Sequence, residues 1–149
     1  MIPANEKFGT LTDFLNRFDH SSTSFSEVLF FVFFYKKMQL FLYQIQQVLG
    51  ISGIATKTYA YHGSDTQMDM VIERADGIVN LCEMKYTGSA YNLTKSEADK
   101  ILNRIDQLVN LIRPKGINVV LITSKYAQHN DYYNQLINNN ITINDLFVL

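Results

Sequence analysis

Asp69, Glu83 and Lys85 are the residue types that hydrolyse phosphodiesters when they share one strand surface. Mg²⁺ is a hard cation that takes oxygen ligands, usually one or two carboxylates completed by water and substrate phosphate. Glu83 and Lys85 alternate along an extended segment, so both side chains leave it on the same side. The Lys85 ammonium can then orient a water acidified by the metal, or offset charge on the scissile phosphate. Assistance of this kind contributes about 10²–10⁴-fold to rate. Gln67 is placed to hold water or phosphate beside them.

A hairpin must bring these residues together. The segments 66–74 and 78–86 both alternate like strands, and Ala75-Asp76-Gly77 between them is a turn signal. A two-residue Asp-Gly turn pairs Ala75 with Ile78, sets Asp69 opposite Met84 and leaves Glu83 on the other face. A three-residue loop, with Gly77 left-handed as a G1 bulge, pairs Arg74 with Ile78 instead. Asp69 then lies opposite Glu83 and Gln67 opposite Lys85, all on one face. Cβ atoms of such pairs sit roughly 4.5–5.5 Å apart, within reach of one shared cation. The second register is the one expected.

A cross-strand Glu–Lys pair on a solvated sheet face is the competing reading of the same residues. Val71, Val79 and Leu81 share the face with the charges. Charges at the end of an apolar face suit a cleft floor, where they persist only if paired or metal-bound. Met84 and Cys82 point the other way, into a core layer.

The string from Gln67 to Lys85, and Asn80-Leu81-Cys82-Glu83-Met84-Lys85 most specifically, resembles the core of a PD-(D/E)XK nuclease-like domain. More narrowly, it is similar to the domain at the C-terminus of a group of bacterial AAA-type ATPases. The resemblance runs from about Leu42 to Phe147, roughly two thirds of the chain. It implies a restriction-endonuclease-like α/β core: helix, three-stranded antiparallel meander, helix and strand, in a single mixed sheet flanked by helices. It also implies that Asp69 and Glu83 ligate Mg²⁺ (or Mn²⁺), that Lys85 is the motif lysine and that Gln67 matches a glutamine usual in the subgroup. Nucleic acid, DNA in the first instance, is the implied partner; an AAA-type ATPase and self-association are further partnerships that it leaves open. Met68 stands where the family name has proline. The first helix of such a fold often supplies another acid, but no acid stands near Tyr35, the matching position, and Glu27 falls about two turns too early.

The chain's 149 residues, 47% hydrophobic and 18% charged, are enough for one domain with a substantial core. The division expected is an N-terminal helix and linker over 1–24 and the nuclease-like domain over 25–149. A net charge of −1 offers no global attraction to nucleic acid, so binding needs a local basic patch. One cysteine, Cys82, excludes an internal disulfide and a cysteine-based zinc site. No phosphate-binding Gly-x-x-x-x-Gly-Lys-Ser/Thr loop is present, so this stretch is not itself a P-loop ATPase.

No signal-peptide pattern opens the sequence, and a cytoplasmic location with no membrane contact is expected. The apolar cluster Val28–Phe34 is far shorter than the ~20 residues that span a bilayer. Apolar residues recur at helical spacing through Leu49, which predicts one amphipathic helix from about Phe25, stopped by Gly50. Its Phe-rich start suits a partner surface. Phe8, Leu11, Leu15 and Phe18 suggest a short leading helix, followed by a Ser/Thr-rich link over 20–24.

Downstream, 54–61 reads as the strand before the hairpin. Thr94 and Glu97 form a capping box that opens a helix with Ala98, Ile101, Ile105, Leu108 and Ile112 on one face, ended by Pro114 and Gly116. The run 117–123 is almost wholly apolar, hence a buried strand. A helix over 131–138 and a short strand at Ile141 follow. Lys100, Asn103, Arg104 and Gln107 share the polar face of the long helix. Such faces are usually only solvated; if this one borders the cleft, Lys100 and Arg104 are its phosphate contacts.

Two functions fit. One is a Mg²⁺-dependent nuclease, favoured by the intact Asp69, Glu83 and Lys85. The other is an inactive nuclease-like module that binds nucleic acid or a partner protein, favoured by the missing first-helix acid, the near-neutral charge and the Phe-rich start.

Overall fold

The chain is organised around the hairpin that carries Asp69 and Glu83. Our computed structural model describes residues 41–63 and 65–147. The leading helix, the 20–24 link, most of the 25–49 helix and the position near Tyr35 lie outside those residues. Helix α1 occupies 41–48 of the described chain, followed by strands β1 (Thr56–His62), β2 (Gln67–Arg74) and β3 (Ile78–Lys85). Then come helix α2 (Lys95–Ile112), β4 (Gly116–Thr123), helix α3 (Asp131–Leu136), β5 (Asn139–Thr142) and a 3₁₀ turn (Asn144–Leu146).

The five strands form one mixed sheet in the order β1-β2-β3-β4-β5. The first three are an antiparallel meander, while β4 runs parallel to both β3 and β5. A parallel return needs a long crossover, and α2 supplies it between β3 and β4. This is the α/β architecture expected: a helix, three meandering strands, a helix and a strand. Among the described residues, no helix is long and apolar enough to cross a membrane.

Local chemistry explains the element ends. Gly50 closes α1 at φ +69°, its N–H donating to the Gln47 carbonyl at 3.0 Å while Ile51 N–H reaches Gln46 at 2.9 Å. That bond pair is a Schellman motif, and its left-handed position costs glycine least. Thr94 and Glu97 form the expected capping box on α2. At the other end Arg113 takes a left-handed conformation (φ 51°) just before Pro114, which cannot continue the helix.

The sheet divides two cores. On one face Val71, Val79, Leu81, Val119 and Leu121 pack against Ile101 and Leu108 of α2 and Tyr133 of α3. On the other, Met70, Ile72, Cys82, Val120, Ile122 and Ile141 pack against Ile45 of α1, with Phe41, Leu42 and Leu49 at its margin. β4 lies between two parallel neighbours and contributes to both cores, which is why its sequence reads as a continuous apolar run.

Candidate functional site

The hairpin adopts the three-residue register. Met70 pairs with Cys82, Val71 with Leu81, Ile72 with Asn80 and Glu73 with Val79. The three-residue loop sets Arg74 opposite Ile78, and at the other end the regular ladder stops at Met70 and Cys82, one residue short of Asp69 and Glu83. Gly77 takes φ +90°, and its N–H donates to the Arg74 carbonyl at 3.0 Å. Asp76 ties down the turn by pairing with Arg74 and accepting the Ile78 N–H at 3.2 Å.

One expectation fails. Tyr59 pairs with Val71 but Tyr61 pairs with Met68, so Ala60 alone stands against Asp69 and Met70. This β-bulge adds one residue to β2 and inverts its alternation beyond that point. Met68, not Gln67, therefore joins Val71 in the core beneath α2. Gln67 pairs with His62 at the exposed start of β2 and does not share the face of Glu83 and Lys85 as expected. The Gln67–Lys85 pairing is lost because regular alternation does not survive an inserted residue.

The same bulge fixes Asp69. Its Oδ2 accepts the Met84 N–H at 2.9 Å, just beyond the last ladder pair, where a regular strand would offer a backbone carbonyl. The carboxylate thus joins β2 to β3 through a side chain.

Among the described residues Glu83 is the most deeply placed charge, only 1% exposed between Leu81 of its own strand and Leu121 of β4. Its Oε2 accepts from Nη1 of Arg104 at 2.6 Å. Its Oε1 is buried and has no hydrogen-bond partner. Burial pushes the carboxyl up to about 7, Asp69 adds to the rise, and Arg104 and Lys85 pull it partly back. The Cys82 thiol, on the opposite face, is likewise raised by burial first and then by Glu83 and Asp69.

Lys85 lies two residues on, at the end of β3, with Nζ 3.7 Å from Oε1 of Glu97. Glu97 also accepts the Thr94 N–H at 3.1 Å in the capping box. Burial raises the Glu97 carboxyl, but the Thr94 backbone and hydroxyl outweigh it and hold Glu97 below its ordinary range. Tyr91 sits beside the same carboxylate, and its hydroxyl is raised by burial and by Glu97. Helix α2 therefore presents one countercharge to each of two charged residues of β3: Arg104 to Glu83, and Glu97 to Lys85.

Arg104, a phosphate contact if α2 borders a cleft, has its charge matched by Glu83. Lys100, one turn earlier, is exposed. Farther along α2, Gln107 Nε2 donates to Thr66 Oγ1 at 2.6 Å, and Asn103 Nδ2 lies 3.5 Å from the same hydroxyl. Asn103, Arg104 and Gln107 of the polar helix face thus turn towards β2 and β3. The parts of Glu97 and Tyr91 were not legible beforehand; Glu97 carried a complete local explanation as a cap, and nothing in its spacing pointed to Lys85.

The donor set fits a hard divalent cation. Asp69 and Glu83 offer oxygens from adjacent strands, and Oε1 of Glu83 is buried without a partner. Among the described residues no three His, Cys, Asp or Glu side chains cluster into a metal cage. Two carboxylates completed by water and phosphate is the coordination Mg²⁺ commonly takes.

Comparison of the chain with protein-family models, with curated proteins and with solved structures finds no match.

Proposed function

We propose that this domain is a Mg²⁺-dependent nuclease that hydrolyses phosphodiester bonds in nucleic acid, DNA foremost. The observation that carries the reading is the buried, partnerless Oε1 of Glu83, whose neighbour along β3, Met84, donates its N–H to the Asp69 carboxylate. An orphaned carboxylate oxygen costs about 1–3 kcal/mol or more, and a cation removes that cost. Bound Mg²⁺ or Mn²⁺ would supply Lewis acidity, polarising the phosphate and acidifying water.

In this mechanism Asp69 and Glu83 would hold the cation. Lys85 turns its ammonium towards the phosphate and the attacking water, bringing the water oxygen in line with phosphorus. A new P–O bond forms from water, whose proton passes to solvent, as the P–O bond to the sugar oxygen breaks and that oxygen takes up a proton from solvent. Glu97 holds Lys85 from behind, and Lys100, exposed on α2, attracts the phosphate backbone. Cleavage of single- and double-stranded DNA and RNA with Mg²⁺ or Mn²⁺, in wild type and Glu83→Gln, tests the proposal. Cleavage by wild type alone supports it.

A second reading, a non-catalytic module that binds nucleic acid or a protein such as an AAA-type ATPase, draws on the ion pairs. Glu83 and Lys85 are both already engaged by α2, at 2.6 and 3.7 Å. Binding of a nucleic acid with no cleavage under any of these conditions would select this reading.

A further inference from the structure

We propose that Arg104 is a positioning residue, gripping Oε2 of Glu83 so that Oε1 is presented to a cation shared with Asp69. The proposal rests on the metal-site reading above, and it assigns Arg104 a part other than phosphate contact.

Three observations carry it. First, the Glu83 carboxylate is almost wholly buried, yet only one of its oxygens is satisfied. A carboxylate is planar, so fixing Oε2 at 2.6 Å from Nη1 leaves Oε1 little rotational freedom. Second, the guanidinium is itself well enclosed, its side chain 18% exposed, and it projects from α2, a helix held by a full capping box. A rigid, always-charged planar donor on a regular helix holds a partner's orientation better than a flexible ammonium on a loop. Third, with its charge matched by Glu83, Arg104 has little left to offer phosphate, whereas Lys100 one turn earlier is exposed.

Groups that orient a metal ligand from behind typically contribute 10–100-fold to metal affinity. Direct repulsion between the guanidinium and a divalent cation works in the opposite sense. The direction of the change on removing Arg104 therefore decides between a positioning group and a competitor for Glu83.

The test is Mn²⁺ binding to the metal-free full chain, followed by electron paramagnetic resonance or calorimetry, with circular dichroism to confirm folding. Wild type should bind, and Glu83→Gln should not. Arg104→Met should bind about 10–100-fold more weakly at unchanged secondary structure. Arg104→Lys keeps the charge without the planar fork and should show a smaller loss. Should Arg104→Met fail to fold, Arg104→Lys decides alone. Binding equal to or tighter than wild type in the folded variants overturns the proposal while leaving the metal site standing. No Mn²⁺ binding by wild type overturns the metal site, and this proposal with it.

Discussion

The Asp69 carboxylate accepts the Met84 backbone N–H at 2.9 Å, so one residue both staples β2 to β3 and raises the charge density around Glu83. The two roles separate by substitution. Asp69→Asn retains an acceptor for Met84 and removes the repulsion felt by Glu83, whereas Asp69→Ala also removes the bond, which is worth about 1 kcal/mol.

Mg²⁺ should stabilise the wild-type fold by mass action, by about 2.7 kcal/mol at a hundredfold excess over its dissociation constant. Asp69→Asn should fold as well as wild type yet lose that response. Thermal melts across millimolar Mg²⁺ check this; midpoints that stay fixed in wild type and variant alike count against a metal site.

Without metal, stability should fall as pH rises from about 4.5 to about 7. The Glu83 carboxyl is raised to about 7 by burial and by Asp69, against 4.5 ordinarily, so over this window the folded chain binds more protons than the unfolded one. The Glu83 contribution is fully present below the lower value and is lost as pH climbs through the upper one. Each unit of difference is worth about 1.4 kcal/mol. Urea denaturation between pH 4.5 and 8 in a chelator should show this slope, flattened in Glu83→Gln. Mg²⁺ binding should strengthen over the same window, because the cation needs the ionised carboxylate.

Lys85→Ala should leave stability near native and lower cleavage by roughly 10²-fold or more. Its partly exposed pair with Glu97 at 3.7 Å is of a kind that contributes at most about 1 kcal/mol. Glu83→Ala should abolish cleavage and also destabilise the fold, since it strands the enclosed Arg104 guanidinium. Steady-state cleavage alongside denaturation curves separates the two effects, and a wild type that binds nucleic acid without cutting it rejects the enzyme reading.

Gly77→Ala should destabilise the protein by about 1–2 kcal/mol, the usual cost of forcing an L-residue into a left-handed conformation. Gly77 holds φ +90°, and an added Cβ would come within 2.9 Å of the Lys115 side chain. That side chain is flexible and can move aside, so backbone strain dominates. Denaturation midpoints of Gly77→Ala against Ala75→Gly, which changes the same loop at an exposed site, provide the check.

Much of this site was written locally. The Ala75-Asp76-Gly77 loop and two alternating strands were enough to choose the register that pairs Val71 with Leu81 and Met70 with Cys82, because turn geometry fixes which residues of a hairpin meet. Thr94 and Glu97 announced the start of α2, and Gly50 the end of α1, through caps that involve only near neighbours. The bulge at Asp69 and Met70 was not legible, since nothing in the β2 sequence records that Ala60 faces two residues. It moved Gln67 out of the site and Met68 into the core. The pairing of Arg104 with Glu83 and of Glu97 with Lys85 was likewise decided by packing. Helical periodicity says which residues share a face of α2, but only docking that helix on the sheet decides which of them meets which strand residue.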